Sequence, residues 1–114
     1  MRILWLVNME LPQISESLNH PILNIGGWLS SLSNDLQKIS DIELHICFPT
    51  IHSKIINKRK TGNLFYWGFP QPRNLTRYDL LLEKDFTQII QSIQPKVLHI
   101  FGTEHIHALA MVNA

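Results

Sequence analysis

The segment "HIFGTEHIH", residues 99 to 107, holds the highest density of groups that could do chemistry. Three histidines and a carboxylate lie within nine residues, a composition that suggests a metal site. The spacing argues against one, because His105 and His107 are two residues apart and would point to nearly opposite sides of the helix predicted here. We therefore expect no metal ion at this segment.

Two interpretations of this segment stay open. Gly102, Thr103 and Glu104 fall at a predicted strand-to-helix turn, where Thr103 could cap the helix and Glu104 could be a favourable charge in its first turn. His99 alternates with apolar residues in the preceding strand, which is typical of a core histidine. Alternatively, these residues contact a ligand, because ligands of open α/β sheets bind beyond the carboxyl ends of the strands.

A second candidate is the pair Gly26 and Gly27 in "NIGGWLSSLSNDL", which precedes an amphipathic run. Free backbone N–H groups at a helix N-terminus favour a phosphate or another oxyanion. The pair matches neither the G-x-G-x-x-G dinucleotide fingerprint nor a P-loop, which would end in G-K-[ST]. A plain turn and the close approach of a ligand both explain the two glycines.

Other reactive groups give no motif. Cys47 is the only cysteine, so no internal disulfide can form, and its apolar neighbours predict a buried, inert thiol. His20, His45 and His52 have no partner that spacing identifies, and no Ser-His-Asp or Cys-His pattern is present. The basic segment from Thr50 to Thr61 could grip phosphates or be a solvated loop. A net charge of +1 gives no reason to expect nucleic acid as a partner.

The elements that must position these residues follow from hydrophobic periodicity. The first half is predicted to hold a central parallel strand at Ile3–Val7, a long loop at 8–26, a helix from Gly27 to about Ile39 and a strand at Ile42–Phe48. The helix carries an apolar stripe of Leu29, Leu32, Leu36 and Ile39, and one face of the strand is expected to be less buried. The second half is predicted to hold a strand at Asn63–Phe69, a helix from about Tyr78 to Gln94, a strand at Lys96–Phe101 and a helix from about residue 103. This alternation predicts one α/β domain over residues 1–114, with a mostly parallel sheet. The apolar runs are too short for a membrane span and the start lacks the form of a signal peptide, which predicts a cytoplasmic protein.

Three ordered segments resemble the N-terminal domain of family 4 glycosyltransferases of the GT-B fold. They are "MRILWLVNMELP", "GGWLSSLSNDL" and "QPKVLHIFGTEHIHALAMV", and together they span nearly the whole chain. The resemblance implies a parent among the bacterial enzymes that build capsular and other surface polysaccharides. The resemblance implies a Rossmann-like three-layer sandwich that forms the acceptor-side half of a GT-B enzyme, whose C-terminal donor-binding domain is absent from this chain. The segment "ALAMVNA" lacks a capping signal, which also predicts a piece of a larger protein.

The resemblance also implies an activity for the full-length parent. It would transfer a sugar from a nucleotide-sugar donor to a saccharide or lipid-linked acceptor, without a metal or other cofactor, while this fragment alone would be inactive. Gly26 and Gly27 would lie close to the donor diphosphate and sugar, and the acceptor-side candidates are His99, Gly102, Thr103, Glu104 and His107. Retaining members often carry a histidine where this chain has Phe101, so no catalytic residue is assigned.

The sequence also suggests partners for the protein and an alternative function. The parent could associate peripherally with the inner face of the membrane, and an apolar face near Met111 and Val112 could drive dimerisation. The alternative function is a flavodoxin-like or receiver-like ligand-binding module, which shares the alternation of strands and helices. It lacks the acidic pair and the phosphate-binding Ser/Thr loop that those modules carry after the first strand.

Overall fold

The computed structural model describes residues 1–21, 27–71, 78–102 and 106–114. The elements are β1 (Arg2–Leu6), α1 (Pro12–Leu18), α2 (Gly27–Gln37), β2 (Glu43–Thr50), β3 (Asn57–Thr61), β4 (Leu64–Pro70), α3 (Leu80–Ile93), β5 (Val97–Ile100) and α4 (Ile106–Asn113). Every strand and helix predicted from the periodicity is present, with ends shifted by a few residues. The structure adds α1 and β3, which the sequence did not predict.

The five strands form one open sheet in the order β3-β4-β2-β1-β5. Four strands are parallel, and β3 pairs antiparallel with β4 at one edge. Numbered along the chain, the parallel strands lie in the order third, second, first, fourth, which is that of a Rossmann fold. A flavodoxin-like sheet instead places the third strand beside the first. The predicted α/β class, the mostly parallel sheet and the central place of β1 are confirmed.

Each face of the sheet carries its own hydrophobic core. Residues Ile3, Trp5 and Val7 point to the face covered by α1 and α2. The alternate residues Leu4 and Leu6 point to the other face, which α3 and α4 cover. The chain is therefore a three-layer sandwich, and the continuous apolar run of β1 reflects burial on both faces.

The prediction that one face of β2 is less buried is wrong. His45 and Cys47, on the face predicted to be more open, are both buried. Cys47 packs in the core that α3 covers, and His45 packs against the Phe65 and Trp67 rings of β4. The alternation of polar and apolar residues in β2 therefore does not report exposure. Burial raises the pKa of the Cys47 thiol well above its ordinary value, and the predicted inert thiol is confirmed.

Helix α1 replaces part of the predicted loop between β1 and α2. It begins at Pro12, whose fixed φ suits the first helical position, and ends at Asn19 in the left-handed conformation. Gln13 joins it to α2, donating from Nε2 to Ser33 Oγ (2.6 Å) and accepting from Ser30 Oγ (2.5 Å). The buried side of α2 therefore differs from the predicted apolar stripe. Ser33, which takes part in these polar contacts, is fully buried, whereas Leu32 of the stripe is exposed.

The sheet edge at β5, which pairs only with β1 among the described strands, carries exposed apolar side chains. Val97 and Leu98 of β5 are 43% and 37% exposed. In α4, Leu109 and Val112 are exposed but Met111 is buried, so the predicted exposed face near Met111 and Val112 is wrong for Met111, which packs in the second core. In the ranges that the structure describes, no helix has the length and apolarity needed to cross a membrane.

Candidate functional site

The strand order reverses between β1 and β5, which makes their carboxyl ends the topological switch point of the sheet. The chain leaves β1 toward α1 and α2 on one face, whereas α4, which follows β5, lies on the other. Ligands of open α/β sheets bind at such a switch point, because the two connections diverge and leave the strand ends uncovered. We call the described residues in or after these strand ends and at the starts of α2 and α4 the switch-point site; they are Asn8, Gly27, Trp28, His99, Phe101, Gly102 and His107.

A hydrogen bond spans the base of the switch-point site. His107 Nε2 donates to Asn8 Oδ1 at 2.8 Å, which joins the first turn of α4 to the residue just beyond β1. His107 is buried, and its ring also meets the edge of Phe69 at a centroid distance of 5.8 Å. His107 therefore fixes the position of Asn8 and of the α4 N-terminus.

Aromatic rings line the side of the switch-point site toward α2. His99 stacks on Phe101 with ring centroids 4.0 Å apart, and Trp28 meets the edge of Phe101 at 5.7 Å. Trp5 supports Phe101 from the core at 5.0 Å. Trp28 is 64% exposed and His99 is exposed as well, so His99 is not a core histidine. Trp28 and His99 are thus two accessible rings that contact Phe101, and a buried tryptophan supports Phe101.

The glycines and the turn after β5 can be placed only in part. Gly27 begins α2, as predicted. Gly102 follows β5 with φ +76°, a left-handed conformation that favours glycine, and it turns the chain toward α4. Gly26, Thr103 and Glu104 lie outside the described residues. The structure thus brings Gly102 and His99 to the same strand end and gives His107 a positioning role.

A second polar site lies at the carboxyl ends of β2 and β4. His20, just after α1, stacks on His52, just after β2, with ring centroids 3.9 Å apart. The carboxylate of Glu10 accepts from His20 Nδ1 at 2.9 and 3.0 Å. The two rings border a cavity of about 240 Å³, and Asn57 and Arg59 line its other side. We call this cavity the histidine pocket.

Strand β3 divides the basic cluster between the two faces of the sheet. Lys58 Nζ lies 5.0 Å from the Trp67 ring centroid, and Lys60 Nζ lies 5.0 Å from that of Phe65. Arg59, between them, points to the opposite face, toward the histidine pocket. The predicted loop over this segment is wrong: the strand forms through its ladder with β4, which its own polar sequence does not signal.

His45 forms a closed network at the amino end of β2. Trp67 Nε1 donates to His45 Nδ1 at 3.1 Å, so the ring carries its hydrogen on Nε2 and donates it to Glu43 Oε2 at 3.1 Å. Arg2 Nε also donates to Glu43 Oε2, at 2.9 Å. Burial lowers the pKa of His45, and the hydrogen bond from His45 is the main cause that lowers the pKa of Glu43. Both ring nitrogens are satisfied, so this site is structural.

The sequence analysis missed the histidine pocket because its members are far apart along the chain. The useful signal was position: His20 precedes a proline, and His52 directly follows an apolar strand, where ligands of parallel sheets gather. Among the described residues, no group of three or more His, Cys, Asp or Glu side chains is arranged to hold a metal ion. The chain matches no protein-family model, no curated protein and no solved structure.

Proposed function

We propose that this chain is the N-terminal, acceptor-side domain of a glycosyltransferase. The parent enzyme transfers a sugar from a nucleotide-sugar to a saccharide or lipid-linked acceptor in bacterial surface-polysaccharide synthesis. It works in the cytoplasm, at the inner face of the membrane where the acceptor is lipid-linked. The proposal combines the resemblance of three ordered segments with the geometry of the switch-point site.

One observation carries the proposal: accessible aromatic rings stand next to the N-terminus of α2 at a Rossmann-type switch point. The C–H faces of sugar rings pack against flat aromatic surfaces, and Trp28 and His99 present such a surface. The N-terminus of α2 at Gly27 offers N–H groups and a positive dipole end to a diphosphate. The aromatic rings would thus bind the sugar of the proposed donor, and the helix N-terminus would bind its diphosphate.

The reaction assigns distinct tasks to the site. The acceptor hydroxyl attacks the anomeric carbon, a glycosidic C–O bond forms, the bond from that carbon to the diphosphate oxygen breaks, and the hydroxyl proton is released. Negative charge grows on the leaving diphosphate, so donors at the α2 N-terminus stabilise the transition state. Trp28 and His99 orient the sugar rings, while His107 holds Asn8 in place. The parent's second domain would supply the remaining donor contacts.

The open edge of β5 also supports the proposal. Apolar side chains on an unpaired edge strand are unfavourable in water and favour association, and natural sheets normally protect such edges. Rossmann domains continue the sheet beyond the fourth parallel strand. A further strand pairing with β5 in the parent would cover Val97 and Leu98.

A substitution at Gly27 tests the proposal in the protein encoded by the complete reading frame. Gly27→Val should reduce sugar transfer at least 100-fold, because its side chain blocks close approach of the diphosphate at the helix N-terminus. Ser31→Val, on an exposed position of the same helix, is the matched control and should retain activity within about twofold. The measurement is release of nucleoside diphosphate from a panel of nucleotide-sugars with saccharide and lipid-linked acceptors.

Thermal unfolding of both variants separates a blocked site from a damaged fold. Equal activity of Gly27→Val and Ser31→Val would show that Gly27 is only part of a turn. Absence of turnover by the wild-type protein with every donor would reject the glycosyltransferase assignment itself.

A further inference from the structure

We propose that the histidine pocket is a binding site for the phosphoryl group of a small phosphate ester, with Arg59 as its main anchor. The site lies at the carboxyl ends of β2 and β4, two strands that supply none of the residues of the switch-point site. The proposal does not depend on the glycosyltransferase assignment, because it follows from the pocket alone.

The charge of the pocket favours an anion. Within the described ranges, no carboxylate lies within ion-pair distance of Arg59, and none of the described residues that line the pocket is acidic. Glu10, which lies beside these rings, accepts from His20 at both carboxylate oxygens. An arginine that faces a polar cavity without a carboxylate partner is suited to bind an oxyanion from solution.

Existing hydrogen bonds fix the walls of the pocket. The Ser17 hydroxyl donates to the carbonyl oxygen of Ile14, so the hydrogen in the 2.8 Å contact between Ser17 and Tyr66 belongs to the Tyr66 hydroxyl. His20 is held by Glu10 and braces His52 by stacking. Thr50 Oγ1 accepts from the backbone N–H of His52, which anchors the turn that carries this ring. The pocket is therefore arranged before a ligand arrives.

The placement of the potential donors favours a phosphoryl group over a carboxylate. Arg59 and Asn57 line the pocket from β3, and His52 lines it from the turn after β2. A phosphoryl group presents three strong acceptor oxygens, whereas a carboxylate presents two in one plane. Donors on separate segments match the tetrahedral group better.

The size of the pocket limits the ligand. Its volume of about 240 Å³ is below the usual range of about 300–1,000 Å³ for small-molecule sites. Gly68 on β4 keeps this space, since a Cβ there would lie 3.2 Å from Thr50 Cγ2 and 3.5 Å from the Phe48 ring. A phosphate with a short organic group fits, whereas a complete nucleotide-sugar does not.

Titration of the ¹⁵N-labelled chain with inorganic phosphate and with glycerol phosphate, followed by NMR, tests the proposal. Saturable shifts at the backbone amides of residues 52 to 59 are expected. Arg59→Gln should weaken binding at least tenfold, as expected for the loss of a charge-assisted hydrogen bond. Lys58→Gln is the matched control, since it removes the same charge from the adjacent position on the opposite face, and should change affinity less than twofold.

The remaining outcomes decide against the proposal. Equal weakening by Arg59→Gln and Lys58→Gln would mean a general charge effect without a site. Tighter binding of acetate than of phosphate would overturn the phosphoryl assignment. Because Arg59 is on an exposed edge strand, both variants should fold, and the amide spectrum shows directly whether they do. His52→Gln provides a second variant in the pocket and should also weaken binding.

Discussion

The two ends of strands β2 and β4 carry histidines that differ in how far their hydrogen bonds are satisfied. At the amino end of β2, His45 is buried, accepts from Trp67 and donates to Glu43. At the carboxyl ends, the stacked rings of His20 and His52 border an open cavity, and His20 donates to the carboxylate of Glu10. The same residue type is thus a structural element at one end of the strands and a wall of a candidate binding site at the other.

The difference shows how a parallel sheet separates stability from binding. The amino ends of the strands are closed by side chains that satisfy one another, so a change there alters the free energy of unfolding. At the carboxyl ends of β2 and β4, polar side chains border a cavity, so they remain available to a ligand. Three predictions test whether this separation holds.

The largest expected effect is the loss of His45. His45→Leu leaves the indole N–H of Trp67 buried without an acceptor, and should lower the free energy of unfolding by about 2 kcal/mol. His52→Leu, at the exposed end, should change it by less than about 0.5 kcal/mol. Urea denaturation of both variants measures the contrast.

His45→Gln is the control for the first prediction, because an amide can accept from Trp67 and donate to Glu43. It should recover most of the stability that His45→Leu loses. Equal destabilisation by His45→Leu and His52→Leu would contradict the division between the two ends of the strands.

The second prediction concerns acid. Burial lowers the pKa of His45 below its ordinary 6.5, so the unfolded chain binds a proton at a pH where the folded chain does not. The stability contributed by neutral His45 is therefore complete above pH 6.5 and is lost as the pH falls below it toward the folded pKa. Protonation would also place a hydrogen on Nδ1 of His45, so that two N–H groups would face each other and Trp67 would lose its acceptor. The free energy of unfolding should thus decline below pH 6.5 in the wild type and less steeply in His45→Gln.

Glu43 acts in a separate pH window. Its pKa is lowered from 4.5, mainly by the hydrogen bond from His45, so its contribution is present above pH 4.5 and is lost as the pH falls further through the folded value. The test of His45 therefore lies between pH 6.5 and 4.5. If the free energy of unfolding falls equally steeply with pH in the wild type and in His45→Gln over this range, the role given to His45 is refuted.

The smallest expected effect is on the pKa of His45, and it distinguishes the two faces of β3. The positive charges of Lys58 and Arg2 lower the pKa of His45, in addition to the larger effect of burial, whereas Glu43 raises it. Lys58→Gln should therefore raise the pKa of His45 slightly, and NMR titration of the histidine ring protons measures this shift. Arg59→Gln, which faces the pocket, should leave the His45 titration unchanged. A larger shift from Arg59→Gln would contradict the alternation assigned to β3.

Much of the fold could be predicted because its signals are local. The apolar run at Ile3–Val7 identified β1 and its central place, and the stripe that includes Leu82 and Phe86 identified α3. The strand order was not predictable in this way, because it depends on which strands pair. The pairing placed β5 at an edge, although its apolar sequence resembles that of the buried strand β1.

The elements that were missed have weak local signals. Helix α1 is only seven residues long and begins at a proline inside a stretch that resembles a loop. Strand β3, "NKRKT", contains no apolar residue and exists through its hydrogen bonds to β4. Two of the candidate residues, His99 and Gly102, lie at the end of β5, but the exposure of His99 and the burial of His107 required the packed structure.

The sequence by itself determined the alternation of strands and helices, the parallel sheet and the inert thiol of Cys47, because each depends on neighbouring residues and on burial of apolar side chains. Only the tertiary structure decided which histidines are satisfied and which line a cavity. His45 meets Trp67, and His20 meets His52, through residues that are 22 and 32 positions apart in the sequence. Hydrogen bonds and ring stacking act over a few ångströms in space, so no periodicity along the chain can report them.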